Sequence, residues 1–362
     1  MKDVYIRDAA QHENKPIVSC FLVTSKQIKS KKSGEPYLDL MLADRTGQIS
    51  AKMWDNIDGV EDSFTQDCVV KVKGVINRFN NRWQLTIHKL RKMEESEVDF
   101  SDFLPKTNKD VEQLWATVGE FVSSIEDHNL RALLKAFMAD PKIAACYKNA
   151  PAAKTLHHAF IGGLLDHVVS LFRSCNLVLR NYPFVNRDLV LTGVFLHDIG
   201  KIYELNYARS FSYTTDGQLR GHMIIELEML HEKIREVPGF PDQLKSLVEH
   251  LIISHHGQYE FGSPKLPMFP EALLLHYMDD LDSKLESMRA MFEREADSES
   301  PWTGYNPSLG RPLLNTQKLL RKPAEPASEP VAQPEPTSNP EPTPSSDAPS
   351  AVAAAAGKNE TE

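Results

Sequence analysis

The sequence has few cysteines and no long hydrophobic run. Its 362 residues include only four cysteines, which lie far apart without a paired metal-binding spacing: Cys20, Cys68, Cys146 and Cys175. Such cysteines are typical of buried free thiols in a reducing compartment, which predicts a cytoplasmic protein. No apolar stretch approaches the roughly 18 residues of a membrane span, and the N-terminus lacks a signal-peptide hydrophobic region. We therefore expect no membrane partner.

A strong excess of basic charge is also missing. The formal net charge of −9 by itself disfavours a nucleic-acid partner. The charge is uneven, however: residues 1–95 contain 16 Lys and Arg against 13 Asp and Glu, whereas residues 323–362 contain seven acidic residues and one lysine. The N-terminal block is thus mildly basic, which permits binding of a polyanion without requiring it.

Composition also predicts the domain organisation. Residues 323–362 are rich in proline, glutamate, serine and alanine, so they cannot bury enough apolar surface to fold and are expected to be a disordered tail. The remainder is long enough for two or three compact domains. We predict a multidomain α+β protein with a β domain at 1–95, a linker and helical spacer at 96–150, and an all-α domain at 151–315.

The β domain has the pattern of an OB-fold, a five-stranded barrel. Alternating or β-branched runs predict strands at 17–27, 37–42, 49–54, 69–79 and 83–90, with a short helix between the third and fourth. The Asn80-Asn81 dipeptide tolerates positive φ and suits the last hairpin. That order of elements is typical of an OB-fold. An SH3-like barrel or a protein-docking module would show a similar pattern.

Basic and aromatic residues lie in and beside the loops that flank the binding face of an OB-fold. Unpaired bases stack on aromatic rings, and a positively charged groove attracts the phosphates. The alternative is that the aromatic residues belong to the core and the lysines to a solvated loop. The predicted contacts with single-stranded nucleic acid in this domain are Lys29, Lys31, Lys32, Tyr37, Trp54, Arg78, Phe79, Arg82 and Trp83.

Residues 155–294 combine helical periodicity with many histidines. Thr155 is predicted to cap a helix that continues to Arg180, and the run Phe195–Lys201 delivers an adjacent histidine and aspartate. Imidazole and carboxylate groups together suit divalent metal ions. The candidate ligands are His167, His197, Asp198, His222, His255, His256 and one of Asp279, Asp280 and Asp282.

Seven such ligands suit two divalent ions, with about three protein ligands each and Asp198 as the bridge. A metal pair suits phosphoester hydrolysis, because it holds phosphate oxygens and acidifies the water between the ions. Lys201, at the end of the run, would place its ammonium on the scissile phosphate. The alternative is a single ion held by His167, His197, Asp198 and Asp279. These ligands discriminate little among Mn²⁺, Fe²⁺, Co²⁺ and Zn²⁺.

The order of these motifs resembles the HD-domain superfamily of metal-dependent phosphohydrolases. More specifically, residues 1–315 resemble the YhaM-type 3′→5′ exoribonucleases, which join an N-terminal OB-fold to an HD domain. The sequence departs from the family pattern at Asp166, where that pattern has glutamate before the first ligand histidine. The tail at 323–362 has no counterpart in the pattern. The segments that carry the resemblance are 157–167, 196–201, 254–257, 262–265 and 275–284.

The resemblance implies that single-stranded RNA, with single-stranded DNA as an alternative, is degraded from the 3′ end by a metal-activated water. It implies Mn²⁺ as the preferred metal, with Mg²⁺ as a further alternative to the ions named above, and Asp279 as the last metal ligand. Asp279 and Asp282 share a helix face whereas Asp280 points about 100° away, which leaves Asp282 as the fallback. Lys265, in the fourth matching segment, joins the predicted nucleic-acid contacts.

We therefore expect a metal-dependent 3′→5′ exoribonuclease with Asp198 and Lys201 as catalytic residues. A second hypothesis is an HD-type nucleotide or cyclic-nucleotide phosphohydrolase with a regulatory OB domain. A third is a non-catalytic nucleic-acid-binding protein, which the intact set of ligands disfavours. The direction of digestion comes from the resemblance alone, and a homo-oligomer is compatible with the sequence.

Overall fold

The computed structural model describes residues 2–80, 82–154, 158–296 and 298–321. In the N-terminal part, apolar residues alternate along much of the strands, so one face lines an interior and the other faces outward; Leu38, Leu40 and Leu42 are fully buried in this way. Five strands close a barrel in the order β1-β2-β3-β5-β4, antiparallel except between β3 and β5. They are β1 (Pro16–Ser30), β2 (Pro36–Asp44), β3 (Gly47–Met53), β4 (Val69–Phe79) and β5 (Arg82–Lys92).

This topology is the predicted OB-fold. The short helix between β3 and β4 is a single 3₁₀ turn at Glu61–Ser63. The hairpin between β4 and β5 has Asn80 at φ 48°, the left-handed conformation that asparagine tolerates, while Asn81 lies outside the described residues. The first strand extends further than predicted, to Ser30, and contains a bulge between Val23 and Ser25.

Helices form most of the remaining described chain. Several begin at a side chain that caps the first backbone N–H groups, including Asp110, Asp127, Asp140 and Asn186. Two small hairpins interrupt them: β6 (Leu205–Asn206) with β7 (Ser212–Tyr213), and β8 (Trp302–Asn306) with β9 (Arg311–Leu314). The helices are α1 (Val111–Ser123), α2 (His128–Ala139), α3 (Pro141–Asn149), α4 (Gly163–Val178), α5 (Arg187–Leu196), α6 (Lys201–Glu204), α7 (Thr215–Arg235), α8 (Asp242–Ser254), α9 (Pro270–Arg294) and α10 (Thr316–Leu319).

Helices α1 to α3 share one hydrophobic core with α4, α5 and α7 to α9. The fully buried Tyr147 of α3 donates its hydroxyl to the carbonyl of Phe195, 2.9 Å away in α5. These helices therefore support the segment that carries the His-Asp pair. We propose to count residues 111–149 with the helical domain rather than as a spacer, which replaces the predicted boundary at 150. The boundary at 95 stays a prediction.

The predicted helix from Thr155 to Arg180 is wrong in its first part. Helix α4 begins at Gly163, and Gly162 before it adopts a left-handed backbone with φ 80° that no continuous helix accommodates. Ile161 instead forms a β-bridge with Lys106. Residues 155–157 lie outside the described residues, as does the predicted tail at 323–362.

The barrel meets the helical part through a small apolar cluster. Phe103 and Leu104 of the connecting segment pack there with Cys20 of the barrel, against Ile161 and Phe211 of the helical part. None of the described helices is long and apolar enough to cross a membrane. The four cysteines are free, as predicted, but only Cys20 and Cys175 are buried, since Cys68 and Cys146 are partly exposed.

Candidate metal centre

Five helical segments bring the predicted metal ligands to one buried place. His167 lies within α4, while the His197-Asp198 pair and the His255-His256 pair directly follow α5 and α8. His222 and Asp279 project from α7 and α9. The side chains of His167 and His197 are fully buried, and Asp198 and His255 are nearly so. The apolar helices around them shield these four side chains from bulk water, whereas Asp279 and His256 are partly exposed.

One group of ligand atoms gathers on the Oδ2 side of Asp198. The Nε2 atom of His167 lies 3.3 Å from Nε2 of His197 and 3.2 Å from Oδ1 of Asp279. Oδ2 of Asp198 is 3.5 Å from the same His197 nitrogen. These separations bring four ligand atoms within reach of one ion.

A second group gathers on the Oδ1 side of Asp198. The Nε2 atoms of His222 and His255 lie 3.7 and 3.8 Å from Oδ1 of Asp198. Ligand atoms of His222, His255 and His256 lie within 4.8 Å of one another. The two carboxylate oxygens of Asp198 therefore face two separate groups of histidines.

All five histidines use Nδ1 for a hydrogen bond within the protein. Because carbonyl and carboxylate oxygens accept hydrogen bonds, each Nδ1 is the donor and each Nε2 is directed to the cluster. His167 donates to Asp282 at 2.8 Å, and His222 donates to Glu204 at 3.2 Å. His197, His255 and His256 donate to the carbonyls of Val194, Ile252 and Phe261.

Several atoms in the cluster are buried without a hydrogen-bond partner among the described residues: Oδ1 of Asp198 and the Nε2 atoms of His222 and His255. Buried polar atoms are nearly always paired, and leaving one unpaired costs about 1–3 kcal/mol. A divalent cation would satisfy all three atoms at once. The donor set therefore fits a divalent metal ion.

The local charges favour the protonation states of metal ligands at Asp198, His197 and His255, but not at His167. Burial would raise the pKa of Asp198, but Lys201 and the adjacent His197 hold it well below its usual range. Burial lowers the pKa values of His197 and His255. Burial also opposes charge on His167, but the hydrogen-bonded Asp279 and Asp282 outweigh it and raise its pKa to about 10. A metal ion on His167 must therefore displace a proton.

Lys201 forms an ion pair with a residue of the cluster. Its Nζ donates to Oδ2 of Asp198 at 2.7 Å. Burial would lower the pKa of Lys201, but the charge of Asp198 raises it, so the ammonium stays charged. The structure thus places a cation beside Asp198, and its contact with a phosphate stays a prediction.

Three further carboxylates contact this cluster: Asp282, which the sequence offered only as the fallback for the last ligand, and Glu204 and Glu226, to which the sequence gave no role. Asp282 accepts hydrogen bonds from His167, from His158 at 3.2 Å and from Ser170 at 2.5 Å. Glu204 accepts from both Nδ1 and the backbone N–H of His222. Glu226 lies one helical turn after His222. The only sequence signal for Glu226 is this i, i+4 spacing within one helix.

Two of the residues predicted to contact nucleic acid form an aromatic pair on the outer face of the barrel. The rings of Tyr37 and Trp54 stack with centroids 4.5 Å apart, and Nζ of Lys52 lies within 5.6 Å of both rings. Sequence reasoning missed Lys52. Lys29 and Lys31 form ion pairs with Asp39 and Asp55, respectively, at 2.5 and 2.8 Å, which reduces their attraction for phosphate. Lys32 is exposed.

The β4–β5 hairpin carries the other predicted contacts on the barrel. The guanidinium of Arg78 lies 4.4 Å from the ring of Trp83, which packs partly on the core, whereas Phe79 is exposed and pairs across the hairpin with Arg82. Lys265 is not gathered with these residues. It is exposed on the loop before α9 and, among the described residues, its side chain makes no hydrogen bond or ion pair with the metal cluster.

Comparison with known proteins decides the family. The family model of the OB-fold nucleic acid binding domain matches residues 22–93, and that of the HD domain matches residues 164–284. The chain is 35% identical over 290 residues to the 3′-5′ exoribonuclease YhaM of Bacillus subtilis, covering 80% of this chain and 91% of that protein. The chain belongs to the YhaM family.

Two further YhaM proteins show the same extent of similarity. The 3′-5′ exoribonuclease YhaM of Bacillus velezensis is 36% identical over 280 residues, which cover 77% of this chain and 88% of that protein. The protein of the same name from a Geobacillus species is 36% identical over 288 residues, with 78% and 88% covered. This member of the YhaM family is a metal-dependent hydrolase with a nucleic-acid-binding OB-fold, as the sequence predicted.

Proposed function

We propose that this protein hydrolyses single-stranded RNA from the 3′ end at two divalent ions bridged by Asp198. The observation that carries this proposal is the position of Asp198, whose two oxygens face different groups of histidines at 3.5 to 3.8 Å. The names of the YhaM relatives support the substrate and the direction of digestion. Single-stranded DNA stays an alternative substrate.

The two ligand sets follow from this division. His167, His197 and Asp279 serve one ion, and His222, His255 and His256 serve the other. When bound, two such ions supply Lewis-acid stabilisation of the phosphate and lower the pKa of the attacking water. We propose Mn²⁺ on the basis of the family resemblance, with Fe²⁺, Co²⁺, Mg²⁺ and Zn²⁺ as alternatives, because mixed imidazole and carboxylate ligands discriminate little among these ions.

The remaining residues of the site orient these ligands and supply charge. The acceptors on Nδ1 fix each imidazole ring, so that little reorganisation is needed during the reaction. Lys201 contributes a buried positive charge 2.7 Å from Asp198, where it is proposed to stabilise negative charge that develops on the phosphate. The OB-fold binds the strand upstream of the scissile bond, through Tyr37 and Trp54 and through the β4–β5 hairpin.

Labelled RNA tests this function. We expect RNA labelled at its 3′ end to release labelled mononucleotides first in Mn²⁺, while the 5′ label stays in progressively shorter oligonucleotides. EDTA should abolish both processes, because the site fits a divalent ion. Hydrolysis of free or cyclic nucleotides without hydrolysis of oligomers would instead favour the phosphohydrolase hypothesis. Binding of RNA without cleavage in Mn²⁺ would favour the non-catalytic one.

The aromatic pair on the barrel gives a separate prediction. We expect Tyr37→Ala with Trp54→Ala to raise the KM for single-stranded RNA about 10- to 100-fold, because each stacked base contributes about 1–3 kcal/mol. Hydrolysis of bis(p-nitrophenyl) phosphate, which has no base, should not change. Phe184→Ala, at an exposed aromatic residue of the helical part, is the matched control. An unchanged KM in the double variant would exclude the pair from the binding face.

Location and assembly are part of the same proposal. Four free cysteines suit a reducing compartment, which favours the cytoplasm. Exposed apolar residues recur at every fourth position along α9, namely Leu273, Tyr277, Leu281 and Leu285. Such a face suits contact with a second copy of the chain, and light scattering of the purified protein measures whether a homo-oligomer forms.

A further inference from the structure

Glu226 is a fully buried carboxylate that no role described above uses. It projects from α7, one turn after His222, and its exposed fraction is 0%. Oε1 accepts the backbone N–H of Gly200, immediately after the His-Asp segment, at 3.1 Å. Oε2 is also buried and has no hydrogen-bond partner among the described residues. Charged residues are almost never fully buried unless they are paired, so this oxygen requires an explanation.

The surroundings of Glu226 direct it to the second group of ligands. One ligand atom each of Glu226, Asp198 and His222 lie within 4.8 Å of one another. The ammonium of Lys201 donates to Oδ2 of Asp198, on the side away from this second group. Among the described residues, no hydrogen-bond donor reaches Oε2.

The backbone at Gly200 fixes this arrangement. A Cβ atom at Gly200 would lie 2.3 Å from the carbonyl oxygen of His222 and 2.8 Å from Cγ of Glu226. Only glycine therefore lets the segment after Asp198 approach α7 this closely. The hydrogen bond to Oε1 then holds the carboxylate in one orientation, in which Oε2 has no hydrogen-bond partner among the described residues. This geometry is typical of an oriented metal ligand rather than of a carboxylate whose two oxygens are both hydrogen-bonded within the protein.

We propose that Oε2 of Glu226 is an additional ligand of the ion that His222, His255 and His256 hold. The inference rests on the proposed two-ion function. Three imidazoles alone form the ligand set of a typical zinc site, whereas hard carboxylate oxygens suit Mn²⁺ and Mg²⁺. Together with Asp198, Glu226 gives this ion two carboxylates. Glu226 is thus a residue that determines which metal the second position selects.

Metal titration of the full chain tests this role with Glu226→Gln. The amide oxygen of glutamine keeps the acceptor for Gly200 but removes the charge. We expect wild-type protein to bind two Mn²⁺ ions and the variant to bind the second about 10- to 100-fold more weakly, whereas Zn²⁺ binding changes less. Glu232→Gln, at an exposed position of the same helix, is the matched control and should bind both ions like wild type.

Thermal unfolding with and without metal gives an independent readout. If Glu226 is a ligand, Glu226→Gln should reduce the rise in Tm that Mn²⁺ produces and leave the Tm in EDTA unchanged or higher. An equal loss of Tm in both conditions, with two Mn²⁺ ions bound at wild-type affinity, would show a purely structural residue and overturn the inference alone. Binding of only one Mn²⁺ by wild-type protein would overturn the two-ion function as well.

Discussion

Replacement of Asp198 by asparagine is expected to lower kcat for RNA on the order of 10³-fold or more. Both groups of ligands lose a charged oxygen, because Oδ2 faces His197 and Oδ1 faces His222 and His255. Lys201 also loses its counter-charge. The loss should appear in kcat and in bis(p-nitrophenyl) phosphate hydrolysis alike, because the chemical step itself is affected.

Metal content separates this effect from misfolding. We expect Asp198→Asn to bind fewer Mn²⁺ ions than wild type by titration while its circular dichroism spectrum is unchanged. Asp280→Asn is the matched control, because that carboxylate lies on the other face of α9 in an ion pair with Lys284. Two tightly bound Mn²⁺ ions and normal kcat in Asp198→Asn would refute the bridging role.

The second large effect is expected at Asp279, and it separates two neighbouring aspartates of α9. Asp279→Asn should lower kcat about 10³-fold, because its Oδ1 lies 3.2 Å from Nε2 of His167, among the metal-facing atoms. Asp282→Asn should weaken metal binding about 10- to 100-fold, since it orients His167 from the Nδ1 side. Excess Mn²⁺ should therefore restore more activity to the Asp282 variant than to the Asp279 variant.

These two variants, together with Asp280→Asn, test the assignment of the last ligand. Activity and Mn²⁺ stoichiometry should fall in the order Asp280→Asn, Asp282→Asn, Asp279→Asn, with the first equal to wild type. The assignment would be reversed if Asp282→Asn lost one ion completely while Asp279→Asn still bound both ions. Asp282 would then be the ligand.

Sequence alone determined the elements with strong local patterns. The alternation of apolar residues predicted the barrel strands, because a strand presents every second side chain to one side. The histidines and aspartates identified the chemistry of the centre, because few residue types bind divalent ions. Helical periodicity also placed Asp279 and Asp282 on one face with Asp280 turned away. Each of these inferences depends on residue types and local spacing, and none depends on a distance between separate elements.

Tertiary structure decided what depends on distances between separate helices. Periodicity gave Asp279 and Asp282 the same face, but only the packing of α9 against α4 puts one on Nε2 and the other on Nδ1 of His167. The burial of Glu226 was equally hidden, and so were the ion pairs of Lys29 with Asp39 and of Lys31 with Asp55, because these partners lie on other strands or loops. Even the start of α4 was mistaken, because the left-handed Gly162 and the bridge at Ile161 are set by contacts with the linker rather than by helix propensity.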